Sequence, residues 1–211
     1  MIDRSRPRGP FNAIIAACLT AFLVLLPVST AEAAVPRSAV VATWKNANKT
    51  KIVLRKGIYS KASGKGFGWQ KIKDRHGLKK YSTVRHPTKS PFGGITQGNR
   101  VVYTAYADKL KKYHGRWYVE AEIPVKTVVE FKHVTSYYGV KLNNAPGVLT
   151  TYCVLPNRAK KCPSWVETAF LPTNNGSVQA GRAGVDFGAT GYASSFSPRG
   201  TGTILPGPDS P

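Results

Sequence analysis

Along this chain, apolar and polar positions fall into several short blocks separated by glycine and proline, and each block predicts its own element. Residues 39–44 form a short apolar stretch ending in Trp44, an arm or first strand. KIVLRKGIYSKA, at 51–62, has the β-branched and aromatic content of a strand, and SGKGFG breaks it with three glycines. From Trp69 the apolar and ring-bearing side chains recur at Ile72 and His76, one face of a helix. Gly77 stands where a helix stops in the left-handed conformation, so His76 lies in the last turn. A basic connection punctuated by proline and glycine, residues 80–99, follows; its length is a sign of function. RVVYTAYADKL, at 100–110, then predicts a strand. The run 116–142 predicts two or three more, with breaks at Pro124 and around Ser136 to Tyr138. NNAPG turns the chain into VLTTYCV, and CPSWVETAFL predicts a short closing helix.

The expected class is α+β: an N-terminal helix packed on a four- to five-stranded, mostly antiparallel sheet spanning residues 51–171, preceded by an arm at 34–50. Residues 172–211 are rich in glycine, serine and proline with little periodicity, which predicts a disordered C-terminal tail.

The first 33 residues change the setting. Arg4, Arg6 and Arg8 precede an apolar run from Ala13 to Val28 that is too short to span a bilayer, and Ala31-Glu32-Ala33 offers a cleavage site. Residues 1–33 are therefore expected to be a signal peptide. The mature chain is then secreted, with no stable membrane anchoring. Cys18 leaves with the signal. Cys153 and Cys162 remain, and a disulfide is favoured over free thiols or a metal site, since neither His nor Cys recurs nearby at ligand spacing. No metal or cofactor is expected.

Charge narrows the partners. The chain carries 31 Lys and Arg against 10 Asp and Glu, a formal +21. Loss of the signal changes that by one unit. Such a field draws polyanions: nucleic acid, anionic wall polymer or anionic membrane.

Two stretches carry a family resemblance. GFGWQKIKDRHG at 66–77 is similar to the histidine-bearing helix of the barnase, EndoU, colicin and RelE-like ribonuclease superfamily, in which a Gly-Phe-Gly start and an Arg-His-Gly end recur. GVLTTYC at 147–153 resembles the last core strand of the same group, with its Thr-x-Tyr after an apolar pair. The resemblance spans about Lys51 to Val154. Cys153 stands where many relatives have proline, and the cysteine loop and the tail lie outside the pattern. It implies a secreted, toxin-type endoribonuclease that needs no metal. The EndoU branch implies His76, His86, Thr150 and Tyr152 as catalytic residues, with Lys89 among the cations.

The reaction fits that inventory. Cleaving RNA through its own 2'-hydroxyl needs a base, an acid and donors around the phosphate. His76 and His86 would move protons, and Arg75, Lys80, Arg85 and Lys89 would supply charge. Thr150, Thr151 and Tyr152 would donate hydrogen bonds. A bland reading stands beside each: His76 as a cap packed near Trp69 and Ile72, His86 as a loop residue, His133 in a sheet and His114 in a turn. Thr150 and Tyr152 share one strand face, Thr151 and Cys153 the other. RNA or another polyanion is the expected partner, and an exported nuclease would call for an inhibitor protein in its producer. The alternative is a non-catalytic basic module binding wall polymer or nucleic acid. Glu120 and Glu122 are the only close carboxylate pair for glycosidase chemistry, and no zinc-protease, serine-hydrolase or phosphate-loop motif occurs.

Overall fold

The computed structural model describes residues 35–171, 179–180 and 190–205. The expected signal peptide at 1–33 lies outside them, as does much of the expected tail. The first two strands, β1 (Val40–Lys45) and β2 (Lys51–Arg55), form an antiparallel hairpin, so the stretch around Trp44 is a strand of the domain. A second small hairpin, β3 (Ile58–Tyr59) with β4 (Gly66–Phe67), leads into helix α1 (Gly68–His76). This helix has no acidic residue in its first turn, whereas Lys73, Arg75 and His76 occupy its last, the end where the helix dipole favours cations. Gly77 ends it at φ 73°, with its N–H donated to the Lys73 carbonyl.

The basic connection is more ordered than expected. It folds into a short helix, α2 (Tyr81–Arg85), a 3-10 turn at His86–Lys89, and an edge strand, β5 (Ile95–Gln97). Two long strands then make the centre of the molecule: β6 (Arg100–Tyr113) and β7 (Arg116–Glu130), an antiparallel hairpin. Pro124, expected to break β7, lies inside it. The last β10 pair is Cys153 with Val125, so pairing on that edge stops one residue before the proline and its missing N–H leaves no gap in the ladder. A further hairpin, β8 (Val134–Tyr137) with β9 (Val140–Asn144), precedes β10 (Gly147–Cys153), which returns alongside β7. A closing helix, α3 (Trp165–Ala169), sits where the sequence predicts one.

The class differs from the expected α+β. Among the described residues the fold is mostly β, with 46% strand against 15% helix, and no N-terminal helix is packed on the sheet. Four strands precede α1, and the three helices among the described residues are only five to nine residues long. Nor is the sheet four- or five-stranded. Strands β11 (Gln179–Ala180), β12 (Thr190–Ser195) and β13 (Ile204–Leu205) come from the stretch read as a disordered tail. The result is a seven-stranded sheet in the order β10-β7-β6-β12-β11, with β5 on β6 and β13 on β7. The tail reading fails for its described residues because Gly191, Ala193 and Ser194 are small enough to bury against β6 without any apolar periodicity.

One face of this sheet carries the main core. Tyr103, Val129 and Val148 pack with Ile52 and Leu54 of the first hairpin, with Ile72 of α1 and with Val84 of α2. Ala105, Ala107, Val125 and Cys153 pack with Val166, Ala169 and Phe170 around α3. On the opposite face a smaller cluster joins Leu149 and Val128 to Phe67, Val140 and Tyr137. Strand β10 approaches the first hairpin at Gly147, where φ is 77° and a Cβ would stand 2.1 Å from the Val53 carbonyl oxygen. Gly139 has a similar φ of 75° but no atom within 4 Å of such a Cβ. Gly147→Ala should therefore lower the stability by clearly more than Gly139→Ala, which carries only the backbone penalty of about 1 kcal/mol. Parallel urea titrations of the two variants measure the difference.

Candidate functional site

Two sites emerge where the sequence suggests one, and the sheet lies between them. The bulge between Val148 and Thr150 sets the phase of β10. Beyond it, Thr151 points into the core: its hydroxyl lies 3.0 Å from that of Thr127, which donates to the Val84 carbonyl at 3.1 Å. Thr151 is fully buried and its hydroxyl is spent on Thr127, which bonds α2 to the sheet, so it is not available for substrate. Thr150 and Tyr152 alternate onto the other face. They pair with Val128 and Lys126 of β7, which in turn pair with Val102 and Thr104 of β6. Paired residues share a face, which gathers Thr104, Lys126, Thr150 and Tyr152 there.

His76 reaches the same face from the end of α1. Its ring centroid is 5.8 Å from that of Tyr152, tilted by 36°. Its Nδ1 lies 3.0 Å from the Lys160 carbonyl oxygen, an atom that only accepts, so Nδ1 carries the proton and Nε2 keeps the lone pair. The Cys162 N–H donates to the His76 carbonyl at 2.9 Å, and Cys162 is disulfide-bonded to Cys153, the residue after Tyr152. The expected disulfide thus ties both sides of the His76–Tyr152 contact together. Burial pushes the imidazole down to about 4; the Lys160 carbonyl opposes this, while Arg75 and Lys71 add to it. At neutral pH the ring is an uncharged base.

Cations surround it. Burial and the nearby charges of Arg75 and Arg100 lower the Lys71 ammonium. Lys71 and Arg75 are four apart on α1, a like-charge spacing that destabilises a helix unless an anion or other carboxylate offsets it. Arg75 also donates to the Gly64 carbonyl at 2.7 Å, and Arg100 lies 3.5 Å from Glu130. The Thr150 hydroxyl is buried and has no partner among the described residues.

His86 is elsewhere. Its ring lies 4.8 Å from Phe170 and stacks at 4.8 Å and 10° on Phe196, in the core-side layer that Thr151 faces. Burial alone brings its imidazole down to about 4. Arg85 and Lys89 line the same cavity as His86, so the structure does not bring these three to the His76 face. Lys80 serves through its backbone: its N–H and that of Lys79 donate to the Glu167 carboxylate of α3 at 2.6 and 2.5 Å. The two carboxylates considered for glycosidase chemistry have separate duties. Glu120 pairs with Lys109 at 2.7 Å, and Glu122 accepts the backbone N–H groups of Arg199 and Gly200.

Lys71, Arg100, Thr104 and Lys126 escaped the sequence reading. The signal for Lys126 is present: it is the only charged residue in IPVKTVV, out of phase with buried Val125, Thr127 and Val129. Among the described residues no group of three or more His, Cys, Asp or Glu side chains is gathered as metal ligands, and no helix is long and apolar enough to cross a membrane. Comparison with family models, with curated proteins and with solved structures found no match.

Two outcomes test this geometry. In a Cys153→Ser/Cys162→Ser variant, loss of the short covalent loop should lower stability by about 2 to 3 kcal/mol. The His76 imidazole, followed by NMR, should titrate above about 4 because burial is the largest cause of its depression. The second outcome concerns His86. Between pH 6.5 and about 4 the unfolded chain binds the proton that the folded imidazole refuses, so wild-type stability falls as pH drops through that range. Removing this group by His86→Phe should make the variant's stability, relative to wild type, rise as pH is lowered from 6.5 to 4, as measured by denaturant titration at each pH.

Proposed function

We propose that the His76 face is the active site of a secreted, toxin-type endoribonuclease that cleaves RNA by metal-independent transesterification. The observation that carries this reading is the His76 ring, tied through Nδ1 to a backbone carbonyl and set beside Tyr152 on the face that bears Thr150 and Lys126. A neutral imidazole with its Nε2 lone pair unprotonated suits a general base. In the proposed step, Nε2 takes the proton of a ribose 2'-hydroxyl and the resulting oxygen attacks the adjacent phosphorus. The bond from phosphorus to the 5'-oxygen breaks, and the leaving oxygen takes a proton from the Tyr152 hydroxyl, which is restored from the imidazolium through water. The products are a 2',3'-cyclic phosphate and a 5'-hydroxyl, with no proton consumed.

Lys71 and Lys126 would offset charge on the phosphorane. The strongly basic chain supports a polyanionic substrate. The resemblance of GFGWQKIKDRHG and GVLTTYC to the ribonuclease superfamily supports the same reading, with His86 no longer part of it. The formed Cys153–Cys162 bond fits an oxidising compartment outside the cell. An inhibitor protein in the producing cell belongs to this proposal.

Purified mature protein incubated with RNA in EDTA should give fragments ending in cyclic phosphate. His76→Ala should reduce the rate by about 10² to 10⁴ with the thermal transition retained, the range of a lost general base. His86→Phe should leave it near wild type. The acid limb of kcat/KM should fall near pH 4, where His76 titrates in the free protein. Cleavage lost in a folded His86→Phe variant, or retained in His76→Ala, would contradict the assignment. No cleavage of RNA at any pH, together with tight binding to wall polymer, would establish the non-catalytic module instead.

A further inference from the structure

The cavity that His86 lines lies on the core side of the sheet, bounded by β1, by α2 with its 3-10 turn, by Phe170 after α3, and by Ser194 and Phe196 at the end of β12. We infer that it is a binding site for a small organic anion with a planar, apolar body. Nothing in the proposed RNA chemistry uses this space, and the inference stands without it.

Size is the first support. The cavity measures about 810 Å³, within the range of about 300 to 1,000 Å³ typical of small-molecule sites. It is a cleft open to the surface and not a sealed void, so a guest can reach its walls from solvent.

The walls give the body of the ligand. Trp44, Tyr81, Phe170 and Phe196 contribute rings, and His86 adds an uncharged imidazole stacked on Phe196 and tilted against Phe170. Flat aromatic walls favour a flat apolar guest, by area and by ring-on-ring geometry. Nearby polar groups are already satisfied: the Trp44 indole N–H donates to the Thr88 hydroxyl at 2.8 Å, and that hydroxyl donates to the Arg85 carbonyl at 2.7 Å.

Two features give the polar end. Arg85 and Lys89 line the cavity, no carboxylate does, and neither cation forms an ion pair among the described residues. A carboxylate, sulfonate or phosphate on the guest would meet a matched charge, and the planar guanidinium can take it in bidentate fashion. In addition, the His86 Nε2 is buried without a partner among the described residues. An orphaned buried nitrogen of this kind is strongly unfavourable unless a group from outside satisfies it. A guest with a hydrogen-bonding atom beside its ring system would do so.

The experiment uses anilinonaphthalene sulfonate as probe and the uncharged phenylnaphthylamine as its neutral control, with the mature chain at low micromolar concentration. One saturable site per chain is expected for the sulfonate, read by its own fluorescence and by quenching of tryptophan. Arg85→Gln/Lys89→Gln should weaken the sulfonate by about tenfold or more while leaving the neutral probe unchanged. Phe196→Ala should weaken both. His86→Phe, which keeps the ring and removes the nitrogen, should weaken the probe without a change in stoichiometry. Absence of a saturable single site overturns the inference. So does sulfonate binding that survives the Arg85/Lys89 double variant, or one that the neutral probe matches. RNA cleavage by the same preparation reads the other face, so a negative result here and a failed ribonuclease reading are separate findings.

Discussion

Strand β10 pairs with β7 through a bulge between Val148 and Thr150, and the placement of every functional group depends on that register. Side chains on a strand alternate, so one residue of slip moves them all to the opposite face. With the bulge in place, Val148 and Leu149 both bury, on two different clusters, and the alternation resumes with Thr151 inward. The Thr151–Thr127–Val84 hydrogen bonds then lock the phase from the core side. Thr150 and Tyr152 are left on the opposite face, where Tyr152 meets His76. Without the bulge Thr150 would point to the core and Thr151 to the opposite face, and the hydroxyl pair would change places.

The same register positions the disulfide. Cys153 follows Tyr152 and points to the core side, so the loop it closes crosses back past the end of α1 and delivers the Lys160 carbonyl to His76. The backbone N–H of Cys162 meanwhile closes the helix terminus. Four effects compete at that imidazole: a helix C-terminus and a carbonyl partner favour the charged form, whereas burial and two nearby cations oppose it. Burial wins and holds the ring near 4. A small covalent loop thereby sets the tautomer, the orientation and the protonation of one side chain.

Much of this was legible in the sequence, and the reasons for success and failure are physical. Helix α1 and its Gly77 stop follow from local periodicity and from a glycine at a left-handed position. The β6 and β10 strands follow from their β-branched and aromatic content, and the Cys153–Cys162 bond from an even pair of cysteines in a chain read as exported. The pairing of His76 with Tyr152 came from reading two short motifs in order. His86, Arg85 and Lys89 went astray because position in a basic loop gives no information about which side of a sheet the loop crosses. Thr151 was misjudged because a threonine that bonds inward looks, in one dimension, like one that bonds substrate. The class itself was missed mainly because four strands precede α1, and in part because the tail was judged by composition. A strand such as Thr190–Ser195, built from glycine, alanine and serine, has no apolar amplitude to detect, yet small residues are what its close packing on β6 requires.

That tail strand is anchored electrostatically, in a way composition also hides. Arg199 donates to Asp108 at 3.0 Å, and its backbone N–H meets Glu122, the residue paired with Asp108 across the central hairpin. Asp108 is fully buried, and burial pushes its carboxyl up to about 7 in spite of Arg199, with Glu122 adding to the shift. The folded chain therefore binds a proton more readily here than the unfolded chain does, and this group's contribution to stability is lost as pH rises from about 4 through about 7. His76 and His86 act in the opposite direction over pH 6.5 to 4. The protein thus carries opposed titrations on different parts of one sheet, the imidazoles disfavouring acid and the carboxyl disfavouring base. Between about pH 4 and 6.5 the two imidazoles outweigh the single carboxyl, so the net slope is about that of one group, and it takes the removal of a single group to reveal each.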